Sequence, residues 1–592
     1  MKPADPLKAD AAIAPTADRA QVANGAYQAG RFRWLFACVL LLVCVLTACI
    51  SVLRQIDASS MTDVGLVRVL PPLYWAAVGA LICSFAICLI QPTTPRWLLA
   101  AHVVVFIIVV YGSTSVISDI PRGAVSWRHA GITDSLIASG RPDAQVDAYF
   151  NWPGFFMLAA FVTKVADLSS PLALTLLAPL VANLLLVGPL MMIFRALTTN
   201  ESRCWLATWL FFCANWVNQD YFAPQAYDLL LYLVVLAMVL TWYQAKPISA
   251  RGQSPGLVIC VVLISVAMIP AHQLTPFALL LAITGLVISR RCSLRLLPMI
   301  LAVGVAGWLL FAAEAYVDGH ITELTAGIGD ISAAGSKNFG DRLQGSAGHL
   351  IVVKSGIFLS CSVWLLAAVG FLRRYLSGKR DIAVYVLAGT PFLLLPLQPY
   401  GGELLLRVFL LTLPFMAYGV ASLLLPSDQP LRDNRKIIPA ITTVATSTLL
   451  VTSLIVARFG NDTIYQFSEA EVTAVAKMYD LAPASSLLVA TAESTPWKYQ
   501  DYTAHDYQTL TALWVDGRRA ERIATYLTAE ATDREVFVLF TRTANVSVRL
   551  LGSAPVTLPK RVESALSAIP GWSAVYRNSD ATLYYYSARV DR

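Results

Sequence analysis

Long apolar runs divided by short polar stretches recur along the first 457 residues of the chain. The first, 34–53, supplies the roughly 20 residues that a helix needs to cross a hydrocarbon core about 30 Å thick. Further runs follow at 72–91, 97–117, 171–195, 203–217, 225–244, 256–271, 274–289, 296–316, 351–374, 381–398, 402–425 and 437–457, which makes about thirteen predicted spans. Residues 1–33 carry no apolar pattern and are expected to form a disordered cytoplasmic tail ahead of an uncleaved anchor, since a secretory signal has a shorter apolar core and a small-residue cleavage site. The segment 151–168, NWPGFFMLAAFVTKVADL, is also apolar. Counting it as a span would invert every later loop, so it is read as an interfacial or re-entrant helix.

Basic residues orient the spans. With the N-terminus inside, the inner connections hold Arg96; Arg195 and Arg203; Lys246 and Arg251; Arg290, Arg291 and Arg295; Arg373, Arg374, Lys379 and Arg380; and Arg432, Arg435 and Lys436. The short outer connections 218–224, 271–273 and 398–401 contain no Lys or Arg. The odd span count then places the C-terminus outside, together with two large outer loops, 118–170 and 317–350.

Beyond residue 457 the pattern changes. Ser468 and Glu471 have capping-box spacing ahead of a helix through Tyr479. Strands are expected at 486–491, 536–541, 572–577 and 581–587, with helices at 518–530 and 560–569. Alternation of this kind predicts a small α/β domain over 458–592. Tyr584, Tyr585 and Tyr586 in the last strand are read as packing residues rather than a sugar platform.

Composition agrees with the spans. The 592 residues are 57% hydrophobic and 14% charged, with mean hydropathy +0.62, whereas soluble domains carry about 25% charged residues. This excludes an ordinary soluble enzyme and a disordered chain. The net charge of +7 calls for no nucleic-acid partner. The ten cysteines lie in or beside apolar runs without CxxC spacing, so neither a zinc site nor a disulfide framework is expected.

Candidate chemistry gathers on one predicted face. Loop 118–150 contains Asp119, Arg122, Arg128, His129, Asp134, Arg141, Asp143 and Asp147, with one or two helical turns expected at 132–139. A carboxylate there can serve as general base toward a hydroxyl, and arginines can hold a phosphate bidentately. The short outer turns add Gln219, Asp220 and Gln225; His272; and Glu403 with Arg407, which is spaced as a self-neutralising i,i+4 pair.

The motifs Trp127-x-His129-x-Gly131-x-x-Asp134, Asp147-Ala-Tyr149-Phe-Asn151-Trp152-Pro153-Gly154-Phe155-Phe156, Gln219-Asp220-Tyr221-Phe222-Ala223-Pro224-Gln225, His272-Gln273-Leu274-Thr275-Pro276 and Tyr400-Gly401-Gly402-Glu403, on this overall plan, resemble uncharacterised bacterial members of the type C (GT-C) membrane glycosyltransferases. The resemblance implies a polyprenyl-phosphate sugar donor, a glycan, lipid or protein hydroxyl as acceptor, and a bacterial cytoplasmic membrane with the chemistry on its outer face. It also implies an acidic base in the first large outer loop. Here that loop follows span three rather than span one, so position alone does not identify the base. Asp134 and Asp147 rank first because both lie inside the motifs, while Asp119 is read as a helix cap. Arg122, His272 and Arg407 are the candidates for donor phosphate, and Gln219, Asp220, Gln225 and Glu403 for sugar or acceptor; His129 is a further substrate-binding candidate. No cofactor is expected. A divalent ion shared by Asp147, Asp220 and His272 is the minority alternative, unsupported by spacing. Two rival readings remain: an O-antigen polymerase or ligase using diphosphate-linked glycans, and a transporter or non-catalytic envelope scaffold. The first would consume a diphosphate donor; the second would tolerate loss of the loop carboxylates.

Overall fold

The computed structural model describes residues 14–244, 254–319, 343–396, 403–426 and 437–587. The predicted connections around Lys246 and Arg251 and around Arg432, Arg435 and Lys436, most of loop 317–350, and the Tyr400-Gly401-Gly402 stretch lie outside the described residues.

Membrane-type helices come first. They are α1 (Ala14–Leu53), α2 (Pro72–Ile90), α3 (Arg96–Tyr111), α4 (Ala124–Ser139), α5 (Gly154–Val165), α6 (Ala178–Leu197), α7 (Glu201–Ala214), α8 (Pro224–Trp242), α9 (Pro255–Ala267), α10 (Thr275–Ile288), α11 (Leu297–Gly307), α12 (Ala347–Leu376), α13 (Ile382–Gly389), α14 (Leu404–Leu424) and α15 (Ile437–Phe459). Among the described residues, seven helical stretches are long and apolar enough to cross a membrane, and six shorter apolar helices accompany them. Each predicted span coincides with a helix, because a long apolar run is a local property of the chain. The first helix begins at Ala14, so it reaches back into the stretch read as a tail. The run at 203–217 becomes α7, of 14 residues, whose positions from Arg203 onward are all buried. Around it pack α3, α6, α14 and α15, with α14 the most enclosed of the long spans.

Two helices lie outside this bundle plan. The apolar segment at 151–168 forms α5, preceded by a turn in which Asp147 caps Ala148–Asn151. Where one or two turns were expected at 132–139, α4 starts at Ala124. Its first half carries Trp127, Arg128 and His129 without apolar periodicity, so only tertiary contacts reveal the helix.

The C-terminal part is an α/β domain with α16 (Glu469–Leu481), β1 (Leu487–Ala490), β2 (Asp506–Thr509), α17 (Leu510–Val515), α18 (Ala520–Asp533), β3 (Val536–Thr541), α19 (Arg542–Leu551), α20 (Leu558–Ala568), β4 (Trp572–Arg577) and β5 (Ala581–Tyr586). Its strand order is β2-β1-β3-β5-β4. The three strands β2, β1 and β3 run parallel, with Val489 facing Val538, while β5 is antiparallel to β3 and β4. Strands β1 and β3 are buried at every position, as parallel strands covered on both faces should be. The Ser468–Glu471 capping box forms as the spacing predicts. Tyr585 stacks on Phe537 at 4.9 Å, a packing role for the tyrosine-rich strand.

The domain is clamped onto one face of the bundle. Gly131, in mid-α4, lies so close to the 498–499 backbone that an added Cβ would stand 1.9 Å from the Lys498 carbonyl oxygen. Trp127 meets Tyr499 edge-on at 5.0 Å, and Tyr502 packs with Ile132, Leu136, Phe150 and Phe156. At a second clamp the N–H of Ser346, just before α12, donates to the Leu550 carbonyl at 2.9 Å.

Candidate functional site

Between the bundle and the domain lies a cavity of about 830 Å³. One wall is apolar and comes from Trp216 with α12 and α14: Val352, Val353, Ile357, Trp364, Leu405, Leu406 and Phe409. Its other end is polar, with Arg122, Arg128, Asn218, Gln219, Glu403, Arg407 and Arg458. The domain closes it with Glu493, Ser494, Leu551, Gly552 and Ser553.

Each of the four arginines has a carboxylate partner. Arg122 donates its Nε to Asp462 at 2.9 Å and a second N–H to the same oxygen. Arg128 donates its Nε to Asp147 at 2.8 Å, again with a second, shorter contact. Arg458 embraces Asp220 through both terminal nitrogens at 3.0 Å. Arg407 donates to Glu403 at 2.7 Å. In the first two pairs the carboxylate is the hidden member, its side chain 0% and 1% exposed; in the third both partners are buried, Arg458 at 3% and Asp220 at 7%. The fourth pair is reversed: the Glu403 side chain is 40% exposed and that of Arg407 is 9%. Three carboxylates therefore hold arginines from behind, and one faces the cavity.

Neither preferred base from the sequence lines this cavity. Asp147 is saturated: besides Arg128 it accepts the Tyr502 hydroxyl at 2.6 Å and the Tyr149 N–H at 2.9 Å. Burial pushes its carboxyl up, but Arg128, the Tyr502 hydroxyl and the Tyr149 amide pull it further down, below the usual carboxylate range. Its oxygens are engaged by Arg128, Tyr502 and Tyr149. Asp134 sits one helical turn beyond Gly131, toward the domain, and its carboxyl is raised by partial burial and then by Asp501. Trp127, Gly131 and Asp134, spaced along one stripe of α4, thus form a docking face. Asp119 is exposed, three residues before Arg122, and the hydroxyl that accepts the Ile120 N–H at this helix end belongs to Ser118 rather than to Asp119.

The remaining candidates divide. Arg122, Gln219, Glu403 and Arg407 line the cavity. Asp220 lies behind it, in a second chamber of about 20 Å³ shared with Arg122 and Arg458, and also accepts from Asn183. Gln225 is buried on α8 with its carbonyl oxygen unsatisfied, one turn before the equally buried and unpartnered Asp228. His129 and His272 are interior. Among the described residues no three His, Cys, Asp or Glu side chains converge as a metal site; Asp147 and Asp220 belong to separate ion pairs.

The two histidines make stability pH-dependent. His129 bonds the Phe222 carbonyl through Nδ1 at 2.7 Å, while its buried Nε2 has no partner. Burial lowers its pKa from 6.5 to about 4 against the pull of that carbonyl. In the turn after α9, His272 accepts the Thr275 N–H at 3.2 Å, and burial, then Arg407, lowers it to about 3. The unfolded chain binds these protons below about 6.5 and the folded one does not until far lower, so stability is complete above that pH and declines on acidification. At pH 5 each histidine is expected to remove about 2 kcal/mol. Unfolding in detergent between pH 7 and 5 should show the loss, and His129→Asn should remove part of it; a flat profile in the wild type refutes the assignment.

Sequence reasoning missed Arg458, Asp462, Glu493 and Ser494. Arg458 had a readable signal: it ends the last span on the side where the basic-residue rule leaves the short connections without Lys or Arg. The others depend on how the domain docks.

No protein-family model matches the sequence, and no curated protein matches it. Solved structures do. The oligosaccharyltransferase of Archaeoglobus fulgidus, tethered to an acceptor peptide containing the NVT sequon, aligns at 9% identity over 83% of this chain and 74% of its own, with TM-score 0.49. ArnT from Cupriavidus metallidurans, bound to undecaprenyl phosphate, aligns at 12% identity over 83% of this chain and 98% of its own, with TM-score 0.51. The chain thus shares the fold of ArnT over nearly the whole of that protein's length.

Proposed function

We propose, starting from that shared fold, that the protein transfers a sugar from a polyprenyl-phosphate donor to a hydroxyl of a glycan, lipid or protein, on the extracytoplasmic face of a bacterial cytoplasmic membrane. The observation that carries this reading is the group of four arginines, each paired with a carboxylate, in a cavity that also has a long apolar wall. A lipid chain fits the wall of α12 and α14, and its phosphate fits the arginines, each of which has five N–H donors of which a carboxylate uses only some. ArnT, the fold neighbour, was solved with a ligand of this class.

The base in this reading is Glu403, the carboxylate of the four pairs that faces the cavity, rather than Asp134 or Asp147. It takes the proton of the acceptor hydroxyl as that oxygen attacks the anomeric carbon. The bond from that carbon to the phosphate oxygen breaks, and its electron pair leaves on polyprenyl phosphate. Protonation of Glu403 also frees charge on Arg407 for the phosphate as its negative charge grows. The sugar configuration inverts in such a single displacement. Gln219 and Asn218, beside the arginines, are placed to bond the sugar.

Purified protein in nanodiscs, given a panel of polyprenyl-monophosphate sugars and envelope extracts, tests this by release of free polyprenyl phosphate. Glu403→Gln should lower turnover about a hundredfold with donor binding retained, and Asp134→Asn should stay near wild type. Asp119→Asn belongs in the same series, because its exposed carboxylate lies three residues before Arg122. Release in Glu403→Gln equal to wild type removes the base assignment. Consumption of diphosphate-linked donors alone would instead favour the polymerase or ligase.

A further inference from the structure

Part of the cavity lining, Glu493, Ser494, Leu551, Gly552 and Ser553, belongs to the C-terminal domain, and the place of Glu493 and Ser494 in the sheet is specific. With the order β2-β1-β3, the chain leaves β1 to one side for β2 and returns on the other for β3. The crevice beyond the carboxyl end of β1 is therefore a topological switch point, the place where open α/β sheets bind ligands. Here that crevice opens into the membrane cavity through the loop after β1. Within 491–497 every residue is buried except Glu493 and Ser494, and both line the cavity.

The loop behind this tip is held rigidly. Thr495 donates its hydroxyl to the Ala492 carbonyl at 2.9 Å, and the Lys498 N–H donates to the Tyr479 hydroxyl at 2.7 Å. Lys498 adopts φ +64°, a conformation that L side chains rarely take, and its ammonium reaches Glu493 at 3.1 Å. The Glu493 carboxylate is nevertheless 69% exposed. A fixed, exposed carboxylate beside a serine hydroxyl offers acceptors and a donor for sugar hydroxyls and repels phosphate. Ser553, after α19, adds a third polar residue on the same wall.

We infer that the C-terminal domain supplies the acceptor subsite, with Glu493 and Ser494 binding hydroxyls of a saccharide headgroup and presenting one of them across the cavity to Glu403. This rests on the glycosyltransferase reading above and adds a role for the domain. The arginines take the donor; Glu493 and Ser494 take the acceptor.

The test uses the full-length protein in nanodiscs, with octyl glycosides and short oligosaccharides of common hexoses and N-acetylhexosamines as acceptor probes. Saturation-transfer NMR reads saccharide contact, and retention of labelled polyprenyl phosphate reads donor binding. The double variant Glu493→Gln with Ser494→Ala should weaken saccharide contact about tenfold, the effect of losing a charged hydrogen bond. Polyprenyl phosphate retention and the unfolding midpoint should stay at wild-type values, and in turnover the acceptor KM should rise with kcat nearly unchanged. Unaltered saccharide contact in the double variant overturns the subsite. So does a wild type that retains polyprenyl phosphate but contacts none of the saccharides. A wild type that retains no polyprenyl phosphate but does contact saccharides supports the subsite and removes the donor reading instead.

Discussion

Arg458→Leu is expected to destabilise the protein by about 4 kcal/mol, because it leaves the buried Asp220 without its counter-ion. The pair is enclosed on every side. Both carboxylate oxygens of Asp220 accept from Arg458 at 3.0 Å, and the guanidinium lies 4.6 Å from the Tyr111 ring centre. The Arg458 carbonyl meanwhile accepts from Arg122 at 3.1 Å and from Asn218 at 3.0 Å, so the neighbouring arginine is tied to the same turn. In Arg458→Leu, among the described residues, only Asn183 would remain to the Asp220 carboxylate. Pairing the change with Asp220→Leu should recover much of the loss, since an apolar pair of similar bulk leaves no buried charge behind. Unfolding of the two single variants and the double variant in detergent gives the cycle. A single variant within 1 kcal/mol of wild type would show that the pair is far wetter than its burial implies. Donor binding should fail in the double variant even where the fold recovers, because the arginine itself is gone.

Gly131→Val is expected to detach the domain from the bundle. A glycine in mid-helix ordinarily costs about 1 kcal/mol relative to alanine, so by local propensity Gly131→Ala alone should stabilise α4. The structure reverses that sign: a Cβ would meet the Lys498 carbonyl oxygen at 1.9 Å and the Tyr499 Cα at 2.9 Å. These are backbone atoms and cannot swing aside. Alanine should therefore already destabilise, and valine more so, by about 3 kcal/mol or more on the scale of overpacked cores. The loop carrying Glu493 and Ser494 would move with Lys498, so saccharide contact should fall while polyprenyl phosphate is retained. Limited proteolysis between α15 and β2 reads the detachment directly. An alanine variant as stable and as protease-resistant as wild type would refute the close approach.

The particular residues show why some features were readable and others were not. The spans were, since twenty consecutive apolar side chains leave a helix in lipid as nearly the sole solution. Strand β3 was also readable as a continuous apolar run at 536–541. Strand β2, with the polar sequence Asp506–Thr509, was not, because it is a strand only through pairing with β1. Helix α19 was missed at 542–551 for a similar reason: its first turn is held by Glu471, which accepts the Thr543 N–H at 2.7 Å from 72 residues away. The aromatic motif around Asp147 drew attention to this region but not to the ion pair that Asp147 makes. Its real partners, Arg128 and Tyr502, stand 19 and 355 positions away.

The sequence by itself determined the membrane spans, the α/β character of the last 130 or so residues and the set of polar groups available to chemistry, because apolar run length, strand periodicity and residue type are local properties. Only the tertiary structure decided which carboxylate faces the cavity. Burial of Asp147, Asp220 and Asp462 behind arginines, and exposure of Glu403, follow from pairings such as Arg458 with Asp220 and Arg122 with Asp462, separated by 238 and 340 residues. An ionised group buried in protein must find a partner, but nothing local to an aspartate says which partner it finds or which of the two is left facing the ligand.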